Sequence, residues 1–211
     1  MRLSVTPLRI GLLALAGAAA AFGQSVSFLR PGSIEVGPFL GASYGIVNAQ
    51  YMAGGNFTVA ANKYILPYVE FTYLPQVASP PVVSSLPAGV SSVSVDRNIS
   101  FYDFHGGVHI RFPIHEKPFV PYLAVGVGVL HHLQTTVTPT LTYTDGTTQT
   151  LPAAIQPGGS DFAVNFGGGV RYYFSSAKFG MRAEVKVYKP TGSMYSSVFG
   201  KAEIGLFYQF R

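Results

Sequence analysis

The chain has no cysteine, and only 11% of its 211 residues are charged. Without cysteine there is no disulfide framework and no thiolate nucleophile. A typical soluble domain is roughly 25% charged, so the second shortage is the more telling one. The net charge of +5 is too small to argue for nucleic acid or an acidic partner. Long apolar runs are also missing. The uncharged stretch from Ile10 to Ala21 falls short of the roughly 20 apolar residues that a membrane-spanning helix needs.

That stretch has a different meaning. Arg2 and Arg9 precede it, and Ala21-Phe22-Gly23 places small residues where a signal peptidase reads. Residues 1–23 are therefore expected to be an export signal and residues 24–211 the mature domain, beginning at Gln24. Taking 23 from 211 leaves 188 residues, enough for one domain, and loss of the two arginines lowers the net charge from +5 to +3.

What the chain does have is glycine, tyrosine, phenylalanine and a period of two. Tyr102, Phe104, Gly106, Val108, Ile110 and Phe112 alternate with Phe101, Asp103, His105, Gly107, His109 and Arg111. Successive side chains of a strand point to opposite sides, so these are two faces of one strand. Residues 162–174, 179–188 and 201–210 repeat the pattern, with Arg171, Arg182, Glu184, Lys186 and Glu203 on the polar face. Four fuzzier strands fall at 34–46, 53–61, 65–73 and 119–131, with Glu35 and Glu70 as polar-face charges. Eight is an even number, as closed bacterial barrels require.

Connection lengths agree with that reading. Those around Asn62-Lys63, Pro113 to Pro118 and Ser175 to Lys178 are short, whereas those at 74–98, 132–160 and 189–199 are long. Short periplasmic turns opposite longer outer loops mark transmembrane barrels, although the connection at 47–52 is short and departs from the alternation. In the loop 133–160 the only charge is Asp145, and Asp145-Gly146 among Thr and Tyr predicts a β-hairpin with a two-residue turn.

Alternation alone does not say which face is inside. A soluble barrel would carry more Lys and Glu outside than this chain possesses. The apolar face also places Tyr73, Tyr102, Phe112, Phe174, Phe179 and Phe210 near strand ends, as membrane-interface girdles need. The polar face joins opposite charges to glycines, as a narrow filled lumen would. The expected fold is an all-β, eight-stranded antiparallel up-and-down transmembrane β-barrel.

Residues 33–211 resemble the small bacterial outer-membrane β-barrel proteins, including the transmembrane domain of outer membrane protein A and its single-domain relatives. Glu35-Val36-Gly37, the run Pro121 to Gly128 and the alternating end Ile204, Leu206, Tyr208, Phe210 carry the likeness. Arg211 departs from it, because the family usually ends on the aromatic itself. The resemblance implies a bacterial outer-membrane location, contact with outer-membrane lipid and lipopolysaccharide, and handling by the outer-membrane assembly machinery.

Function is less legible. The polar-face set Glu35, Glu70, Asp103, His105, His109, Arg111, Arg171, Arg182, Glu184, Lys186 and Glu203 is expected to form a paired lumenal network, since unpaired charge inside a barrel is costly. Asp103 and His105 lie about 7 Å apart on one strand, within reach of a shared metal. His105 and His109 lie about 13 Å apart, too far to join them, so no metal is expected. Only one of His131 and His132 can face lipid, and no Ser with an acid stands out at matching height, so neither catalysis nor a cofactor is expected. The glycines of 126–128 and 167–169 continue strands and do not open a helix, which excludes a phosphate loop. Eight strands leave room only for side chains. The expectation is a monomeric, non-enzymatic barrel with a structural or surface-interaction role through its outer loops. The alternative is a narrow, porin-like conduit for small or hydrophobic solutes.

Overall fold

A computed structural model describes residues 29–45, 50–78, 86–96, 98–114, 117–174, 178–192 and 198–210. The expected signal segment lies outside the described residues. Twelve strands follow in order: β1 (Ile34–Tyr44), β2 (Gln50–Val59), β3 (Ile65–Ala78), β4 (Val90–Asp96), β5 (Asn98–Arg111), β6 (Phe119–His132), β7 (Thr135–Tyr143), β8 (Thr148–Thr150), β9 (Ala154–Gln156), β10 (Gly159–Tyr173), β11 (Phe179–Pro190) and β12 (Phe199–Phe210).

Eight of them close into an antiparallel barrel in the order β1-β12-β11-β10-β6-β5-β3-β2, with β2 returning to β1. The closing seam runs from Ile34 opposite Phe210 to Tyr44 opposite Gly200. These eight are the strands expected from periodicity, although β3 continues past residue 73 through a register shift between Leu74 and Val77. Closure matters in lipid because an unpaired backbone group there has no water to bond.

The faces also fall as the alternation reads. Leu40, Phe104, Phe166, Val185, Ile204 and Leu206 stand exposed on the outer wall, each more than half accessible. Among the described residues no helix is long and apolar enough to cross a membrane. Aromatic residues gather toward the strand ends, with Tyr102 against Phe71 and Tyr73 at one end and Phe179, Tyr208 and Phe210 at the other. An outer wall of bulky apolar groups between aromatic girdles is a surface made for a bilayer.

The long connections contain structure that local sequence patterns do not disclose. β4, from the connection between β3 and β5, pairs with β7, from the connection between β6 and β10. β8 and β9 also pair with β7, making one small sheet at the long-loop end. The expected hairpin exists, but its turn is longer than two residues. Tyr143 N–H bonds the Thr147 carbonyl across three residues, and Gly146 N–H bonds the Tyr143 carbonyl. Gly146 has φ +84, the left-handed conformation that closes a three-residue hairpin loop. Asp145 Oδ1 caps it by accepting from Thr147 N–H at 2.9 Å and Thr147 Oγ1 at 2.7 Å.

Candidate functional site

The barrel encloses a lumen filled in three layers. At the short-turn end Val120, Tyr173 and Phe207 pack together, with Leu29 against them. At the long-loop end Phe39, Met52, Leu74, Ile99, Phe101, Leu130, Tyr188 and Phe199 form a larger apolar plug. Between them lies a layer of ions. All eleven residues expected there are buried. Small residues on the strands make room for this filling: a Cβ at Gly126 would run into the Tyr68 hydroxyl and the Gly106 carbonyl.

The ions fall into two groups along the barrel axis. Near the short turns, Glu35 binds Arg171 and accepts from Tyr173 Oη at 2.8 Å, and Arg111 Nη1 lies 4.0 Å away. Arg111 donates onward to the Asn62 carbonyl at 2.6 Å, tying the lumen to the β2–β3 turn. Arg171 Nη2 lies 3.0 Å from His109 Nδ1. His109 sits between two rings, stacked on Tyr68 at 4.3 Å and tilted against Tyr122 at 4.6 Å. Its Nε2 is 3.6 Å from Glu184, which also accepts from the Tyr122 hydroxyl.

Arg182 is the hub. Its guanidinium lies 2.7 Å from Glu203, 3.0 Å from Glu184 and 3.5 Å from Glu70. Lys186 bridges Glu70 and Glu184, at 2.7 Å from each. The three carboxylates approach within 4.8 Å of one another, close enough to hold a metal ion. Arg182 and Lys186 already supply positive charge between them, so the arrangement is explained without a metal. Farther up, Asp103 binds His105 and Lys201, and Lys201 also donates to Thr72 at 3.2 Å.

Lys201 is the ion that the sequence reading left out of the network. It stands on the polar face of the last strand, so the alternation carried the signal. With it, five carboxylates (Glu35, Glu70, Asp103, Glu184, Glu203) meet five cations (Arg111, Arg171, Arg182, Lys186, Lys201), all buried. The aromatic hydroxyls of Tyr68, Tyr122 and Tyr173 were also missed: Tyr122 donates to Glu184 and Tyr173 to Glu35, while Tyr68 donates to Asn165.

The outer wall adds one pairing that the sequence reading did not see. Ser160 stands directly opposite His131 on the neighbouring strand, with His131 Nδ1 at 2.8 Å from Ser160 Oγ. A serine does share the height of that histidine. Nδ1 is the nitrogen that a carboxylate holds in a hydrolytic triad, and here it is turned to the hydroxyl.

No family model matches the chain, and no curated protein does. Solved structures do. Neisserial surface protein A is similar at TM-score 0.51 and 10% identity, covering 87% of this chain and 98% of its own. A major outer membrane protein from Thermus thermophilus gives TM-score 0.51 and 10% identity, covering 84% and 99%. The attachment invasion locus protein of Yersinia pestis gives 0.49 and 12%, covering 86% and 100%. The fold is that of the small eight-stranded outer-membrane β-barrels, and the apolar outer wall described above places such a barrel in the outer membrane of a bacterium.

Proposed function

We propose that this chain is a monomeric, non-enzymatic outer-membrane barrel that acts through its long loops on other surfaces. The observation that carries the reading is the sheet β4-β7-β8 with β9, which gathers segments of two separate connections into one platform beside a filled lumen. Two loops paired to each other present a fixed shape, and binding residues concentrate on loops held by a rigid scaffold. The platform stands at the end that faces lipopolysaccharide and the exterior, because short turns face the periplasm in this architecture. Residues 1–23 are the export signal, and the terminal strand ending at Phe210 presents the chain to the assembly machinery.

A catalytic role is the weaker reading. His131 turns Nδ1 to the Ser160 hydroxyl, and that is the nitrogen a carboxylate orients in a hydrolytic triad. The conduit reading draws on a different observation, the buried polar side chains placed along the lumen from Arg111 to Lys201. It predicts swelling of vesicles in small sugars or amino acids, which the surface-interaction reading does not.

The direct test replaces residues 86–95 and 135–156 by short Gly-Ser turns. Cells displaying the wild-type and trimmed barrels are then compared for adhesion to immobilised host matrix and to each other. Wild-type adhesion lost in a trimmed barrel that still folds supports the proposal. Equal adhesion by both proteins would remove it. N-terminal sequencing of the protein taken from outer membranes should begin at Gln24.

A further inference from the structure

The charges outside the lumen are divided unevenly between the two ends of the barrel. At the short-turn end every connection carries a basic side chain. Arg30 precedes β1, Lys63 lies between β2 and β3, Lys117 between β5 and β6, and Lys178 between β10 and β11. All four are exposed. The described carboxylate nearest this end in the barrel, Glu35, is turned into the lumen; Glu116, beside Lys117 in sequence, lies outside the described residues. At the long-loop end the exposed charges balance, with Asp145 against Lys189 among the described side chains, while Asp161 is buried.

The position of these cations says more than their number. In the barrel order they recur at every second strand, so they ring the circumference and do not gather on one side. A partner that docks from one direction would meet a patch, whereas a partner that surrounds the barrel meets a ring. Directly beside them stand the exposed aromatics Tyr64, Phe112, Phe174, Phe179 and Phe210, the layer that sits at headgroup level. Lys63 Nζ lies 4.9 Å over the Tyr64 ring, which keeps its charge at the wall.

We propose that this ring binds the anionic phosphate headgroups of phospholipids in the leaflet facing the periplasm, so that the barrel selects phosphatidylglycerol-type lipids at its short-turn end. Cations held near an anionic surface attract it additively, and the attraction is screened by salt. The proposal rests on the membrane reading of the barrel and is independent of what the loops do.

The test uses the full mature barrel folded in nanodiscs of phosphatidylcholine with a minority of phosphatidylglycerol. Retained lipid is counted by native mass spectrometry after gentle release. A heat-dependent shift on an unboiled gel first establishes folding, so failure of the membrane reading would show there and not in the lipid count. The wild type should retain phosphatidylglycerol about threefold above its share, falling to parity in about 0.5 M salt. K63Q/K117Q/K178Q should fold and lose that enrichment, while K189Q at the opposite end should keep it. Parity in the wild type, or unchanged enrichment in the triple variant, overturns the proposal. Displacement of the lipid by millimolar inorganic phosphate would point to a free-anion site and overturn it too. So would binding to isolated peptidoglycan that depends on the same lysines, if phosphatidylglycerol shows no enrichment.

Discussion

The lumen of this barrel packs ten acidic and basic side chains into a space away from water, whereas the loop sheet above it carries only two acids in its sequence, Asp96 of β4 and Asp145 of the hairpin. Both are made of strands, but their sequences are constrained to different degrees. In the lumen every cation has an acid within reach, and each partner comes from a different strand or from two residues along the same one. A slip of one residue in register would turn these charges out into lipid, so the network fixes the register as well as filling the space. In the loop sheet, Ser and Thr can face either side with little penalty. The sheet is held by backbone pairing, and its side chains are open to change. Structure is thus concentrated in the lumen and freedom in the loops.

The largest way to break this contrast is to remove the hub. R182M should leave Glu70, Glu184 and Glu203 facing one another with Lys186 alone, costing about 3–5 kcal/mol. Urea titration in vesicles, followed by far-ultraviolet circular dichroism, should show a large fall in midpoint or no folded barrel at all. Next in size is a charge on the other face of the same wall. Phe166 is 58% exposed on the outer wall, and F166R should cost about 2–4 kcal/mol if that site lies near the bilayer midplane. A cost near zero would mean that the outer wall does not meet lipid.

Changes in the loop sheet should be smaller and should stay local. G146V forces a β-branched residue into φ +84, a strain of order 1–3 kcal/mol that the hairpin can relieve by rearranging. The barrel's unfolding midpoint should not move, while amide exchange at Tyr143 and Thr147 should quicken. The smallest effect concerns pH. Hydrogen bonds from Thr147 hold the Asp145 carboxyl below its ordinary value of 3.8. A depressed acid stabilises its fold above the unfolded value and loses that contribution as pH falls through the folded one. The Thr147 amide should therefore stay protected at pH near 3.8 and lose protection only in stronger acid, with D145N abolishing the dependence.

The difference between these regions also explains what could be read without coordinates. Burial on one face imposes alternation, so Asp103, His105, His109 and Arg111 announce both their strand and their side. Alternation does not give depth or neighbours. Lys201 and Asp103 are 98 positions apart, and only the closed order of strands brings them together. His131 meets Ser160 through the register of β6 with β10, which no local pattern states. β4 and β7 belong to different loops, and the repeated serines at 91, 92 and 94 blur the period of β4. Asp-Gly signalled the hairpin correctly, but the number of residues in its turn shows only in the bond from Tyr143 N–H to the Thr147 carbonyl, with Gly146 in the left-handed conformation.

A lumen filled from end to end is the feature on which the proposed surface-interaction role depends most directly. The decisive measurement is the current through the purified wild-type barrel in a planar bilayer, made after its heat-dependent gel shift has established folding. The structure predicts no steady conductance, with apolar plugs at both ends and paired ions between them. A stable open current in the wild type would contradict it and would make solute passage, with the loops as its entrance, the function to pursue.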